Sequence, residues 1–332
     1  MINLRFLMKR MKGANYKGFI DSAKRISKIN HKPWPVNLAD CLMCTALYGS
    51  GYVDYETFEM YNMNSRERAN VLTISKNNDL YKQLNDPRYI HYFTDKTEFN
   101  KKFRKNLKRD WFYLKDHTYE EYLDFINDKD RIIAKPLDLS CGQGIHMYNV
   151  KKHDPKALYK ALMKRRAFLI EEVVEQSDEM ASLCASSVNT IRLITIRNGN
   201  DVSIVAGCVR MSRGDKVVDN FNNGGLAAIL NTNTGKLETD GYDKWRHNYI
   251  RHPATGTVIK GFPIPDWEEV QQMVREAALV VPQVRYIGWD VAISKKYGPL
   301  LIEGNDFPGQ DLTQYPKLNL GTYGVMKAAI RE

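Results

Sequence analysis

No stretch of this 332-residue chain approaches 18 consecutive apolar residues, so no segment is expected to cross a bilayer. The region after Met1 also lacks a continuous apolar core followed by a small-residue cleavage site, which argues against a secreted precursor and for a cytoplasmic chain. Cysteine is sparse and odd in number: Cys41, Cys44, Cys141, Cys184 and Cys208 lie mostly in apolar stretches, as in a reducing compartment. Cys41 and Cys44 form one C-x-x-C with no second pair to complete a zinc site, so they read as helix packing. Gly-Lys-Ser/Thr is missing, which excludes a Walker loop. The seven histidines show no metal spacing and no Ser-His-Asp or Cys-His set suggests itself; His146, beside a Gly-x-Gly, is the one to watch. No ordered aromatic and basic platform is present, so a nucleic-acid partner is not expected.

What is present is core material and positive charge. With 43% hydrophobic and 11% aromatic residues the chain can build two or three compact units. Its net charge of +10 calls for an anionic partner, whether nucleotide, nucleic acid, acidic glycan or membrane surface, and charge alone does not choose among them. Met1 to about Asn30 carries eight Lys or Arg against one acid, Asp21, with Leu4, Phe6, Leu7, Met8, Met11, Phe19 and Ile20 interleaved. This reads as basic amphipathic helix whose apolar side packs on the body; the competing reading is peripheral attachment to an anionic membrane face.

The chain is organised around Gly288–Ser294 and Leu300–Asn305, two short apolar runs that read as a hairpin. A four-residue loop, Lys295–Gly298, would set Ser294 opposite Pro299 and Asp290 opposite Glu303, side by side on one face. Asn305 falls on that face too, because side chains alternate along a strand. Two carboxylates so close would repel unless a cation neutralised them, and an all-oxygen set suits Mg²⁺. An edge hairpin with solvated acids is the competing reading.

From Pro35 to about Tyr122 the text is mostly helical, and Asp95-Lys96 with Phe99 opens a helix carrying a basic run, Lys101 to Arg109, that by itself reads as a solvated face. Arg131–Pro136 reads as a strand leading into Ser140-Cys141-Gly142-Gln143-Gly144-Ile145. Glycines after a strand let backbone N–H groups close on a phosphate while Lys135 supplies charge, although a plain turn fits equally well. A helix over Asp154–Arg166 and a strand over Ala167–Val174 follow. Next come strands Ile191–Arg197 and Val202–Arg210, joined by Asn198-Gly199, a hairpin signal. The polar loop Asp219–Gly225 precedes a strand over Leu226–Asn231. Asp266-Trp267-Glu268-Glu269 reads as a capping-box start for a helix with a Trp267, Val270, Val274, Ala277, Val281 stripe.

In this order the pieces resemble the ATP-grasp superfamily, over roughly Asp95 to Gly309. Lys96 resembles the first ATP-contacting lysine, Lys135-Pro136 the second, and Ser140 to Ile145, with Gly142, Gln143 and Gly144, the glycine loop over the phosphates. Glu171-Glu172-Val173-Val174 is similar to the segment joining the two subdomains, whose backbone pairs with adenine; Asp178 or Glu179 would meet the ribose. Arg192 matches the strand arginine near the transferred phosphate, and Asp290, Glu303 and Asn305 match the carboxylate and Glu-x-Asn magnesium ligands. Val188–Arg192, Val218-Asp219-Asn220 with Gly224-Gly225, and Gly288-Trp289-Asp290 look most like the sugar-transfer-associated members, as do Asp54-Tyr55 and Asn64 to Arg68.

The resemblance implies an α+β fold: a helical N-terminal region over 1–94, a small ATP-grasp subdomain over 95–170 and a large one over 171–332. The first 90 residues are too helical for the Rossmann-like domain with which many such ligases begin. It implies ATP, two Mg²⁺ ions and a carboxylate–amine ligase that works through an acyl phosphate on a sugar acid or other small acid. Arg192 and Lys135 would stabilise the transfer, and Asp219 and Asn220 would hold the acceptor. Contact with glycan-assembly enzymes is a further expectation. The alternatives are a sugar or polyol kinase and a nucleotide-binding subunit without turnover.

Overall fold

The structure is a computed structural model that describes residues 15–137, 144–214, 221, 224–245, 247–314 and 322–331. It divides into two compact units, Met1–Leu84 with Gly309–Glu332, and Asn85–Pro308.

The first unit is helical, with helices Tyr16–Asn30, Trp34–Tyr48, Tyr52–Thr57, Ser65–Asn70, Ile74–Leu84 and Tyr323–Arg331. Their ends follow local chemistry. Asn64 accepts from the N–H groups of Arg66 and Glu67 while Glu67 returns a bond to the Asn64 N–H, a reciprocal cap. Gly49, at φ 69°, ends the Trp34–Tyr48 helix where a β-carbon would be strained. Phe19, Ile26, Cys41, Cys44, Tyr55, Phe58 and Met60 form the core, so the described part of the basic N-terminus packs as expected. Burial pushes the Cys41 and Cys44 thiols up to about 12 and about 11, as for inert packing groups. Gln314 ties the end of the chain in, accepting from Leu72 N–H at 2.7 Å and donating to Leu72 O at 3.0 Å.

The second unit holds two antiparallel sheets. The smaller runs in the order β1 (Trp111–Tyr113), β4 (Leu169–Glu172), β2 (Arg131–Lys135), β3 (His146–Asn149). Helices Tyr119–Asn127 and Pro155–Lys164 cover one face through Phe112, Tyr122, Ile132, Ala134, Leu158, Leu162 and Ile170. Alternation then puts Lys135, Ile133 and Glu171 on the other face.

The larger sheet, β11-β10-β5-β6-β7-β8-β9, comprises β5 (Thr190–Asn198), β6 (Asp201–Met211), β7 (Leu226–Ile229), β8 (Gly241–Tyr242), β9 (Asn248–Tyr249), β10 (Tyr286–Ser294) and β11 (Gly298–Asn305). One face is greasy: Ile191, Leu193, Val209, Trp289 and Val291 pack against helix Trp267–Val280 and against Phe93 and Phe103. That helix buries the expected stripe, but its start is a correction. Asp266 sits at φ 51° and its side chain makes no cap bond, so no capping box forms. Ahead of Trp111 the described residues contain no strand, as expected of the helical N-terminal part.

Asn85, buried, clamps the two strands of the acidic hairpin. Its amide donates to Tyr286 O and Asp306 O, both at 2.8 Å, and its oxygen accepts from the N–H groups of Arg285 and Tyr286 at 3.0 and 2.8 Å. Asn85→Ala is expected to cost about 2–4 kcal/mol, read by chemical denaturation, because it leaves several buried backbone groups unmatched.

Candidate functional site

The other face of the large sheet is charged. Asp290 on β10 lies opposite Arg192 on β5 and Glu303 on β11. The turn is tighter than the four-residue loop expected, with Ser294 opposite Gly298, and that alone would have set Asp290 against Ile302. A β-bulge after Asp290 inserts Ile302 and restores Glu303 to its place. Arg109 holds the bulge, donating to the carbonyls of Leu301 and Ile302.

Asp290 is fully buried and has counter-ions that the sequence reading lacked. Arg192 pairs with both of its oxygens, the Nη2–Oδ2 bond measuring 2.9 Å. Arg210 Nη2 reaches Oδ2 at 2.8 Å while also bonding Thr190 Oγ1. Burial works to raise the Asp290 carboxyl, but the two guanidinium charges win and hold it far below the usual carboxylate range. The repulsion argument for a metal is therefore corrected: two arginines already balance two carboxylates. Glu303 behaves oppositely. Its carboxyl is pushed up by lost hydration and by the charge on Asp290, and since its surface still meets solvent, the Asp290 charge is the cause that carries weight.

Asn305 is half-buried beyond Glu303, and its amide nitrogen is buried without a hydrogen-bond partner. Donor chemistry still suits Mg²⁺: Glu303 and Asn305 would supply oxygens from one face, beside an Asp290 that Arg192 and Arg210 already engage. Among the described residues no group of three or more His, Cys, Asp and Glu could hold a metal. Gly288 makes room for Pro308 and for the Arg192 side chain. A β-carbon there would come within 2.8 Å of Pro308 Cβ and 3.4 Å of Arg192 Cδ. Gly288→Ala is expected to cost about 1–3 kcal/mol in a melt and to displace Arg192.

The smaller sheet supplies the lysines. Lys135 Nζ lies 2.6 Å from Glu171 Oε2, and Glu171, buried, also accepts from Arg109 at 3.0 Å and Asn100 at 3.2 Å. Burial would raise the Glu171 carboxyl, yet Arg109 and Lys135 hold it down to about 2. Lys96, at the start of helix Lys96–Lys102 capped by Asp95, donates to Pro136 O at 3.0 Å and Leu137 O at 3.2 Å. Both expected lysines thus meet at the end of β2, where the glycine loop begins.

In the segment expected to meet adenine, the Glu172 N–H donates to Asp110 O, and its carboxylate takes Lys296 Nζ at 3.1 Å and the Tyr297 hydroxyl. Val174 lies beyond the strand pairing. Of the two ribose candidates at the start of helix Asp178–Leu183, Asp178 pairs with Lys295 at 2.9 Å, and both it and Glu179 are exposed. Gly144 closes the glycine loop at φ 70°, while Ser140, Gly142, Gln143, Asp219 and Asn220 lie outside the described residues. His146 is exposed, with Arg165 at 3.4 Å. The sequence reading missed Arg210, Arg109 and Asn100; for Arg109 the signal was its place at the end of the basic run.

A family profile described as sugar-transfer associated ATP-grasp matches residues 75–319. No curated protein matches the chain. Among solved structures it is similar to the ATP-grasp ligase PsnB complexed with precursor peptide PsnA2 and AMPPNP, at 11% identity and TM-score 0.43 over 74% of this chain and 62% of that one. It is also similar to D-cycloserine synthetase DcsG, at 10% identity and TM-score 0.42 over 74% and 73% of the two chains. The D-alanine-D-alanine ligase from Coxiella burnetii follows at 14% identity and TM-score 0.39 over 72% and 57%.

Proposed function

The chain belongs to the sugar-transfer associated ATP-grasp family, and from that premise we propose that it is an ATP-dependent ligase joining a small carboxylate, such as a sugar acid, to an amine. The observation that carries the reading is the one charged face shared by Asp290, Glu303, Asn305, Arg192 and Arg210, in the same compact unit as Lys96 and Lys135. Phosphoryl transfer needs neutralised charge and alignment more than a covalent residue, and this face offers both.

In the proposed reaction the acid's oxygen attacks the γ-phosphorus and ADP leaves; the amine then attacks the acyl carbon and phosphate leaves. Bound magnesium would neutralise the β- and γ-phosphates, held by Glu303 and Asn305 with Asp290. Arg192 and Arg210 would meet charge on the transferred phosphoryl, and Lys96 and Lys135 would add positive charge at the phosphates, with the glycine loop excluding water from the acyl phosphate. The Val174 backbone is the place for the adenine edge, and Asp219 with Asn220 is the proposed hold on the acceptor.

The test is ATP consumption across uronic acids and amino acids with hydroxylamine as the amine, scoring products. Acid-dependent ADP release with a hydroxamate is the expected result. AMP with pyrophosphate would overturn the reading. A phosphorylated sugar as the end product would make the protein a kinase, and nucleotide binding without any turnover would make it a regulatory subunit.

A further inference from the structure

The helix Trp34–Tyr48 has an outward side without a charge. Asn37, Cys41 and Cys44 face the core, while Pro35, Val36, Ala39, Leu42, Met43 and Leu47 are exposed and all apolar. Val36, Met43 and Leu47 recur at i, i+7 and i+11, each about half exposed at 52%, 53% and 52%, so they form one stripe. The only ionisable carboxylate of the helix, Asp40, is tied by Arg68 at 2.7 and 2.8 Å and by the Tyr55 hydroxyl. The exposed side of a surface helix is normally polar, whereas this one carries its apolar residues in the open.

The rim of the stripe is basic. Lys24 Nζ stands 5.8 Å from the Trp34 ring, Lys28 follows one turn later, and Lys32 borders a groove of about 580 Å³ that runs along Pro35, Val36, Ala39 and Met43. Between Asn15 and Asn70 every exposed charged side chain is a lysine or arginine. Of the carboxylates in that stretch, Glu56 pairs with Arg25, Asp40 with Arg68, Asp54 is buried, and Asp21, Glu59 and Glu67 are part-buried. A second copy laid on this stripe would set lysine rims against each other. An anionic surface would instead satisfy both the apolar stripe and its rim.

We propose that the Trp34–Tyr48 helix is a membrane foot, seated in the plane of an anionic bilayer with its apolar stripe among the acyl chains and Lys24, Lys28 and Lys32 on the headgroups. Its 15 residues reach about 22 Å, short of the roughly 30 Å hydrocarbon core, so the helix lies on the bilayer and does not cross it. Trp34, exposed at the helix start beside Lys24, suits the headgroup level.

The full chain should sediment with phosphatidylcholine vesicles that contain phosphatidylglycerol, remain in the supernatant with phosphatidylcholine alone, and be released by high salt. Each of Lys24→Gln, Lys28→Gln and Lys32→Gln should lower the partition coefficient roughly fivefold, and Met43→Glu with Leu47→Glu should abolish binding. Melting temperature controls for folding, and the lysine variants, which touch no core, decide the matter even if the double glutamate variant is unstable. Equal binding to both vesicle types, or none to either, would overturn the proposal. So would a concentration-dependent dimer that Leu47→Glu splits, which would give the stripe to a second copy. None of these readouts depends on the ligase reading.

Discussion

Asp290→Asn is expected to cost both turnover and stability, while Glu303→Gln costs turnover alone. From sequence, both replacements relieve a pair of repelling carboxylates and leave the fold intact. The structure separates them. Asp290 is the buried counter-ion of Arg192 and Arg210, so the amide would leave two guanidinium groups facing each other without the charge that both contact. Breaking a buried pair in this way costs about 3–5 kcal/mol, or on the order of 10 °C in melting temperature for a unit of this size. Glu303 meets solvent and its carboxyl is already raised, so losing its charge strains nothing. Both variants should lose roughly 10³-fold in turnover, because each removes an electrostatic group from the transfer site. Thermal melts with and without Mg-ATP check the asymmetry. Equal stability in both would remove Asp290 as a counter-ion, and an undiminished nucleotide shift in both would remove the metal assignment.

Glu171→Gln should destabilise the second unit about as much as Asp290→Asn. Glu171 holds Arg109 and Lys135 together, and the amide would strand the buried Arg109 and the part-buried Lys135. The expected loss is roughly 3–5 kcal/mol at neutral pH. A pH signature distinguishes this from lost packing. The folded carboxyl sits at about 2 against an ordinary 4.5. Its contribution is therefore present above 4.5 and lost as pH falls from 4.5 toward 2. Denaturation curves of wild type and variant should converge across that window and stay apart above it; parallel curves would show that Glu171 acts by shape alone.

The sequence made the charged face readable because its donors recur at period two on strands with clear hairpin signals. Asp290, Glu303, Asn305 and Arg192 do share a face, and Lys96 does meet the end of the Lys135 strand. What could not be read were the irregularities of register. In the β5–β6 hairpin, Asn198 opposes Asp201, and an unbroken count would set Thr190 against Val209, turning Arg210 to the greasy face. A bulge at Ile194/Thr195 sets Thr190 against Arg210 and brings that arginine to Asp290. In the acidic hairpin a tighter turn and a bulge cancel, so the expected pairing of Asp290 with Glu303 stands although the loop behind it does not. Bulges depend on tertiary partners, here Arg109, which lies far from the hairpin in sequence. The apolar outer stripe of Trp34–Tyr48 was hidden for another reason: composition shows that a helix is greasy, while only packing shows which side stays open.

β11 ends the large sheet, and an end strand offers its unpaired carbonyls to any other chain that can extend beside it. Arg109 spends two of its nitrogens on that row, at Leu301 and Ile302, and Lys108 Nζ takes the Tyr297 carbonyl at 3.1 Å. Pro299 near the start of the strand has no N–H to give, and the kink at Ile302 breaks the straight run that a foreign strand would need. The arginine that aims Glu303 therefore also closes the border against self-templated growth, so a chain that lost it would be threatened with insolubility as well as with idleness.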